Sequence, residues 1–167
     1  MKTLIKRTRR AAAIGLYGTL LVVGLTVAAY YLDRYLWRHT IVTNDYTHHL
    51  LVVTGLVLAV VVIAAALYTT RRQLPRLRQM DALEEKLRAY ASLVRTQSLA
   101  TLFVTVLLAA VIVITHDNVL IMLQLLLFLT LALSYPNMYK MKADLGLLDD
   151  EMQQLFGDQY LDAHHED

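Results

Sequence analysis

The side chains with the most chemical reach in this chain are histidines and carboxylates. Four of the six histidines, His39, His48, His49 and His116, fall in two short segments together with Asp33, Asp45 and Asp117. Imidazole nitrogen and carboxylate oxygen are ligands for zinc or copper, which makes His39, His49 and His116 a candidate metal set. His49 and His116 also flank apolar stretches at the same boundary, a placement that suits a haem or quinone held between them. The spacing is less favourable. No two of these histidines stand four residues apart, and the adjacent pair His48 and His49 would point about 100° apart on a helix. Histidine is also an ordinary residue at the edge of an apolar segment, with a wettable ring on an otherwise compact side chain. No resident cofactor is expected, with zinc, copper or haem on those histidines as the alternative. Nucleophile triads, Gly-rich phosphate loops and HExxH are absent from the sequence, so an enzyme has no motif behind it.

The elements that carry these residues are set by where charge is missing. Charged residues make up 18% of the chain and leave four uncharged windows, 11–32, 50–70, 96–115 and 118–139. At about 1.5 Å per residue, a helix of such length matches the roughly 30 Å hydrocarbon core of a bilayer. Apolar residues lie all round the helical wheel of the first window, which suits lipid better than water. The second is rich in Val and Ile, yet in hydrocarbon a helix satisfies its own backbone where a strand does not. Only His116, Asp117 and Asn118 separate the last two apolar runs, which implies a tight antiparallel hairpin. The expected fold is all-α: a polytopic integral membrane protein of four transmembrane helices in two hairpins, with amphipathic cytoplasmic helices. A soluble four-helix bundle would have to expose Leu and Val over most of its surface. A secretory signal cut after Ala29 would leave an odd number of spans, so the first window is read as a retained helix.

Orientation follows from the basic residues. Fourteen of the sixteen Lys and Arg lie in the first ten residues, in 71–95 and at Lys140 and Lys142, against Arg34 and Arg38 on the other side. That asymmetry places both termini and the 71–95 loop in the cytoplasm, as in a bacterial inner membrane, and puts Trp37, Tyr30, Tyr31, Tyr35 and Tyr46 at the outer boundary.

Two regions extend from the bilayer. Residues 1–139 form the bundle with its 71–95 loop, in which Met80, Leu83, Leu87, Tyr90 and Val94 repeat at helical spacing and should continue into the third span without a break. Proline at 75 and 136 is expected to end the helices that leave the membrane. Residues 140–167 form an acidic tail of two basic and eight acidic residues, with Leu145, Leu148, Met152 and Leu155 at helical spacing. The tail faces a basic collar, so docking through charge is expected, in competition with anionic lipid.

No Asp, Glu, Lys, Arg or His lies inside a window, which argues against coupled transport of ions. Gln124 with Thr19, Thr26 and Thr105 is read as a helix-joining set, and Ala11, Gly15, Gly18, Gly24 and Ala28 as a surface for close helix contact. These features describe an accessory or scaffold protein acting through helix packing and inner-face protein contacts. Its partners are the lipid bilayer and a second copy of the chain or a larger membrane protein, with no nucleic acid, since the basic residues are explained by topology. The alternatives are the outer-face metal or redox protein and, third, an oligomeric pore or transporter.

Overall fold

The computed structural model describes residues 2–33, 35 and 44–157, all of whose regular elements are helices. They are α1 (Lys2–Leu32), α2 (Asp45–Arg78), α3 (Leu83–Thr115), α4 (Asn118–Leu133), α5 (Met138–Leu145) and α6 (Asp149–Phe156). Three of them, α1 to α3, are long and apolar enough to cross a membrane, and α4 with α5 makes a fourth where the bent pair counts as one span.

Helix α3 is the axis of the bundle. Its buried face packs α1 on one side and α2 and α4 on the others. α1 runs parallel to α3, and the two approach most closely where Gly15 lies against Ser98 and Gly18 against Leu102. α2 sits at the periphery and buries only Gly55, Ala59 and Leu77. Gly55 admits Leu108 of α3 and Leu120 of α4, so one missing side chain lets three helices meet. The core divides into two clusters. Tyr30, Ala59, Val104, Leu108, Ile112, Leu120 and Leu127 fill the half nearest the histidines. Leu77, Leu87, Tyr90, Val94, Met141 and Met152 are among those that fill the half nearest the N terminus, the basic end.

The two prolines behave differently. Pro75 lies inside α2, which continues to Arg78, so it does not end the helix as expected. A proline there removes one i to i−4 bond, and the helix needs only three further residues before it stops. The break falls instead at 79–82, so 76–78 belongs to α2 and the continuous helix leading into the third apolar run starts at Leu83 rather than at 76. Within that helix Leu87, Tyr90 and Val94 are buried as their spacing requires, and the Glu84–Arg88 pair forms at 3.2 Å on the exposed face. Pro136 does interrupt the chain: α4 and α5 are bent by 79° about it. Proline disfavours helical backbone at Tyr135. The Asn137 side chain then accepts the Lys140 amide at 2.7 Å to start α5, and the Lys140 ammonium reaches back to the Leu133 carbonyl at 3.2 Å. The apolar window 118–139 is thus one 16-residue helix, about 24 Å long, followed by a turn.

α5 and α6 fold back beneath the bundle. Gly146, at φ +62°, adopts the left-handed conformation that ends α5, and Leu147 donates to the Lys142 carbonyl to close the turn. Helix α6 starts with the Leu148 amide donating to Glu151 at 2.9 Å. The buried face of this region is Met141, Leu145, Leu147, Met152, Leu155 and Phe156, whereas Leu148 is 71% exposed. The expected stripe through Leu148 is therefore corrected: Leu145 and Met152 belong to two short helices separated by a left-handed turn, so their heptad-like spacing does not lie on one wheel.

Over residues 140–157 the tail does dock on the bundle, and its contact there is mainly apolar; Asp158, Asp162, Glu166 and Asp167 lie outside the described residues. Met141, Leu145 and Met152 are fully buried against Leu77, Leu87 and Tyr90. Polar contacts frame that core. The Arg78 guanidinium donates to the Ala143 and Asp144 carbonyls at 2.8 and 3.1 Å, which caps the end of α5. Tyr90 donates to Asp144 at 3.0 Å. Burial, aided by the adjacent Asp144 charge and that bond, pushes the phenol well above its ordinary range. A raised tyrosine pKa favours the neutral form in the folded state, so this contribution is complete below about pH 10 and fades only above it. Arg9 lies over the Phe156 ring at 5.3 Å.

Candidate functional site

The histidine end is built on the turn between α3 and α4. His116 closes α3 in the left-handed conformation, φ 55° and ψ 32°, and Asp117 opens α4 by accepting the Val119 amide at 2.7 Å. Two residues therefore reverse the chain, which is the tight hairpin the sequence implies. The C-terminal segment of α1 is pinned to this turn. Tyr30, buried, donates to the Asn118 side chain at 2.6 Å, and the His116 Nε2 donates to the Asp33 carboxylate. α2 joins through His48, whose Nε2 lies 3.1 Å from the Thr115 carbonyl. A carbonyl can only accept, so His48 carries its proton on Nε2 and satisfies one of the orphan acceptors at the end of α3.

These contacts place the candidate ligands individually. His39 lies outside the described residues. His49 is exposed, with its ring edge-on to His48 at 5.8 Å, and it is His48 that turns toward the bundle. His116 is largely enclosed and uses one nitrogen on Asp33, while its Nδ1 is buried with no hydrogen-bond partner among the described residues. Among the described residues no three His, Asp or Glu side chains converge on a metal-sized position. The arrangement acts as a latch in which His48 bonds the end of α3 and His116 bonds Asp33 just past the end of α1. Sequence reasoning identified this cluster and missed His48 as its inward member. The signal lay in the 100° step between adjacent positions, which lets only one of the pair face the bundle.

The latch makes a distinguishing prediction for His116. His116→Ala loses the Asp33 contact and keeps a side chain in a left-handed position, whereas His116→Gly loses the contact but relieves the backbone. Thermal unfolding in detergent should therefore find the glycine variant about 0.5–1 kcal/mol more stable than the alanine variant. The reverse order would mean that the turn is not held in this conformation.

A second constellation lies mid-bundle. Gln124 of α4 is fully buried and donates to the Thr26 hydroxyl at 3.3 Å and the Thr105 carbonyl at 3.1 Å, joining α4 to α1 and α3. Its Oε1, like the Thr19 hydroxyl oxygen, has no partner among the described residues. Most hydroxyls in the apolar runs return to a carbonyl four residues back, as Thr54, Thr105 and Thr130 do. The long donor distances and the orphaned oxygen make this a weak fastener. Gln124→Leu should shift stability by less than about 1 kcal/mol in either direction, the range found for hydrogen bonds between membrane helices. A loss of several times that size would identify Gln124 as a functional polar group rather than a joint.

No protein-family model, no curated protein and no solved structure matches this chain.

Proposed function

We propose that the protein is a four-span integral membrane protein, with both termini and the 71–95 loop in the cytoplasm of a bacterial inner membrane, and that it serves as a non-catalytic scaffold or accessory subunit. One observation carries the reading: among the described residues His48 and His116 are bonded to neighbouring helices, while the outer surface of α2 meets no other helix. Val53, Val57, Val60, Val61 and Leu67 of α2 are each more than half exposed, on the side away from the contacts that Val52, Gly55, Ala59, Val62 and Leu77 make with the bundle. A peripheral apolar helix is an available contact surface for a second copy or a larger membrane protein, with lipid as its default neighbour. At the inner face the charged rim of α3 and α6 remains open to a protein partner, because the apolar sides of α5 and α6 are already covered.

Topology and partnership are tested together. A single Cys at Thr47 should react with an impermeant reagent in intact cells, and one at Gln153 should react only after lysis; the opposite pattern would overturn the orientation. A photoreactive residue at Val57 should crosslink to a second polypeptide in native membranes. Crosslinks to lipid alone, with a monomer in mild detergent, would remove the scaffold reading. Purified protein is expected to lack a haem band and stoichiometric metal, and one metal per chain that is lost in His116→Ala would put the redox alternative in its place.

A further inference from the structure

A groove of about 570 Å³ opens between α1 and α3 at the basic end. Arg7 and Arg10 of α1 and Arg95 of α3 stand around it, and Ile14 and Ala91 contribute an apolar lining. Its size is that of an ordinary ligand pocket, roughly 300–1,000 Å³. We propose that this groove holds the phosphate headgroup of an anionic phospholipid from the surrounding bilayer, an inference that rests on the membrane reading above.

Three observations support it. The first is charge left uncommitted. Arg78 bonds carbonyls of α5, Arg88 pairs with Glu84, and Arg9 and Arg72 lie over aromatic rings. Arg7, Arg10 and Arg95 have no acidic or carbonyl partner among the described residues. A guanidinium presents planar paired donors that match phosphate oxygens, so three around one groove form an anion site.

The second is level. Arg10 is the last charged residue of α1 before its apolar run at 11, and Arg95 the last of α3 before its run at 96. The helices are parallel, and Gly15 meets Ser98 just beyond. Both helices thus pass from charge to hydrocarbon at the same height, where phospholipid headgroups lie. The third is what continues from the groove. On the same side of α1 as Arg7, Ile14, Leu21 and Leu25 are 58–62% exposed, and on the Arg95 side of α3 Leu99 and Val106 are about half exposed. A soluble phosphate would leave that track bare, whereas acyl chains would cover it; this selects lipid as the source of the phosphate.

The test uses the full chain, delipidated in detergent and titrated by native mass spectrometry with phosphatidylglycerol, phosphatidylcholine or inorganic phosphate. Phosphatidylglycerol should bind at least ten-fold more tightly than phosphatidylcholine, and millimolar phosphate should not displace it. Each guanidinium is expected to contribute on the order of five-fold, so Arg7→Gln, Arg10→Gln and Arg95→Gln together should lower affinity by roughly a hundred-fold. Ala91→Trp, which fills the groove and keeps every charge, should also abolish the preference. Arg71→Gln with Arg76→Gln, remote from the groove, should retain it. Equal loss in that control, equal binding of the two lipids, or retention in Ala91→Trp would overturn the site in favour of diffuse attraction. Displacement by free phosphate would overturn the lipid as its occupant. The labelling and crosslinking results are read separately: lost selectivity with intact topology fails the lipid site alone, and reversed topology with selectivity kept fails the orientation alone.

Discussion

Met152→Asp is expected to detach the tail from the bundle and leave the bundle standing. Met152 has no exposed surface and packs in one cluster with Leu87, Tyr90, Met141 and Phe156. An ionised carboxylate placed there without a partner would cost several kcal/mol, more than a segment of two eight-residue helices can sustain. The cheaper response is for α6 to leave. Amide exchange should then rise by about a hundred-fold or more in Asp149–Phe156, and measurably in α3 around Leu87 and Tyr90, with the centre of α3 near Val104 unchanged because a separate cluster holds it. Met152→Leu keeps volume and polarity and should cost less than about 1.5 kcal/mol.

The same prediction separates two mechanisms of docking. If acidic residues on a basic collar held the tail, 1 M salt would release it, because screening at that concentration acts within about 3 Å. The structure gives most of the contact to apolar burial, which salt does not weaken. The Lys142–Asp149 pair, 2.6 Å long with Asp149 72% exposed, is of the surface kind whose contribution is about 0–1 kcal/mol. Protection of α6 should therefore persist in 1 M NaCl and be lost in Met152→Asp. Salt-induced release would return the tail to the electrostatic account.

The difference shows what the sequence could and could not disclose. Charge exclusion from hydrocarbon is a strong, local rule, and the windows 11–32, 50–70 and 96–115 each fall within one helix, α1, α2 and α3. The window 118–139 obeys the same rule and is still not one helix, because hydropathy is blind to backbone direction. What bends the chain there is Pro136 followed by a capping Asn137, whereas Pro75 has no cap after it and α2 runs on to Arg78. Periodicity found the buried side of α3 because that helix is uninterrupted from Leu83. It failed in the tail, where Gly146 resets the phase between α5 and α6. The histidines were legible as a cluster and not as contacts, since the turn at His116–Asp117 and the inward rotation of His48 depend on how three helices meet.

Close helix contact is the other feature whose strength only the folded structure reveals, and it yields the second large effect. Gly15, Gly18 and Gly24 look alike in sequence, and all three suit helix packing in a membrane. A Cβ on Gly15 would lie 2.6 Å from the Ser98 Cβ and 3.3 Å from its Cα, so the obstacle is a neighbouring helix rather than a movable side-chain tip. Gly18 meets only the end of Leu102 at 3.3 Å, and Gly24 meets nothing within 4 Å. Gly15→Ala should therefore cost about 1–3 kcal/mol of overpacking, and Gly15→Leu should force α1 and α3 apart. That separation would also weaken the Gln124–Thr26 bond and widen the arginine groove. Gly18→Ala should be nearly neutral, because a leucine rotamer can adjust. Gly24→Ala should stabilise the helix by about 0.5–1 kcal/mol, since alanine loses less backbone entropy than glycine. Unfolding of the monomer in mixed detergent would rank the three. If Gly24→Ala instead dissociated an assembly while monomer stability rose, the free side of α1 would be a contact between chains, and the scaffold surface would extend from α2 to α1.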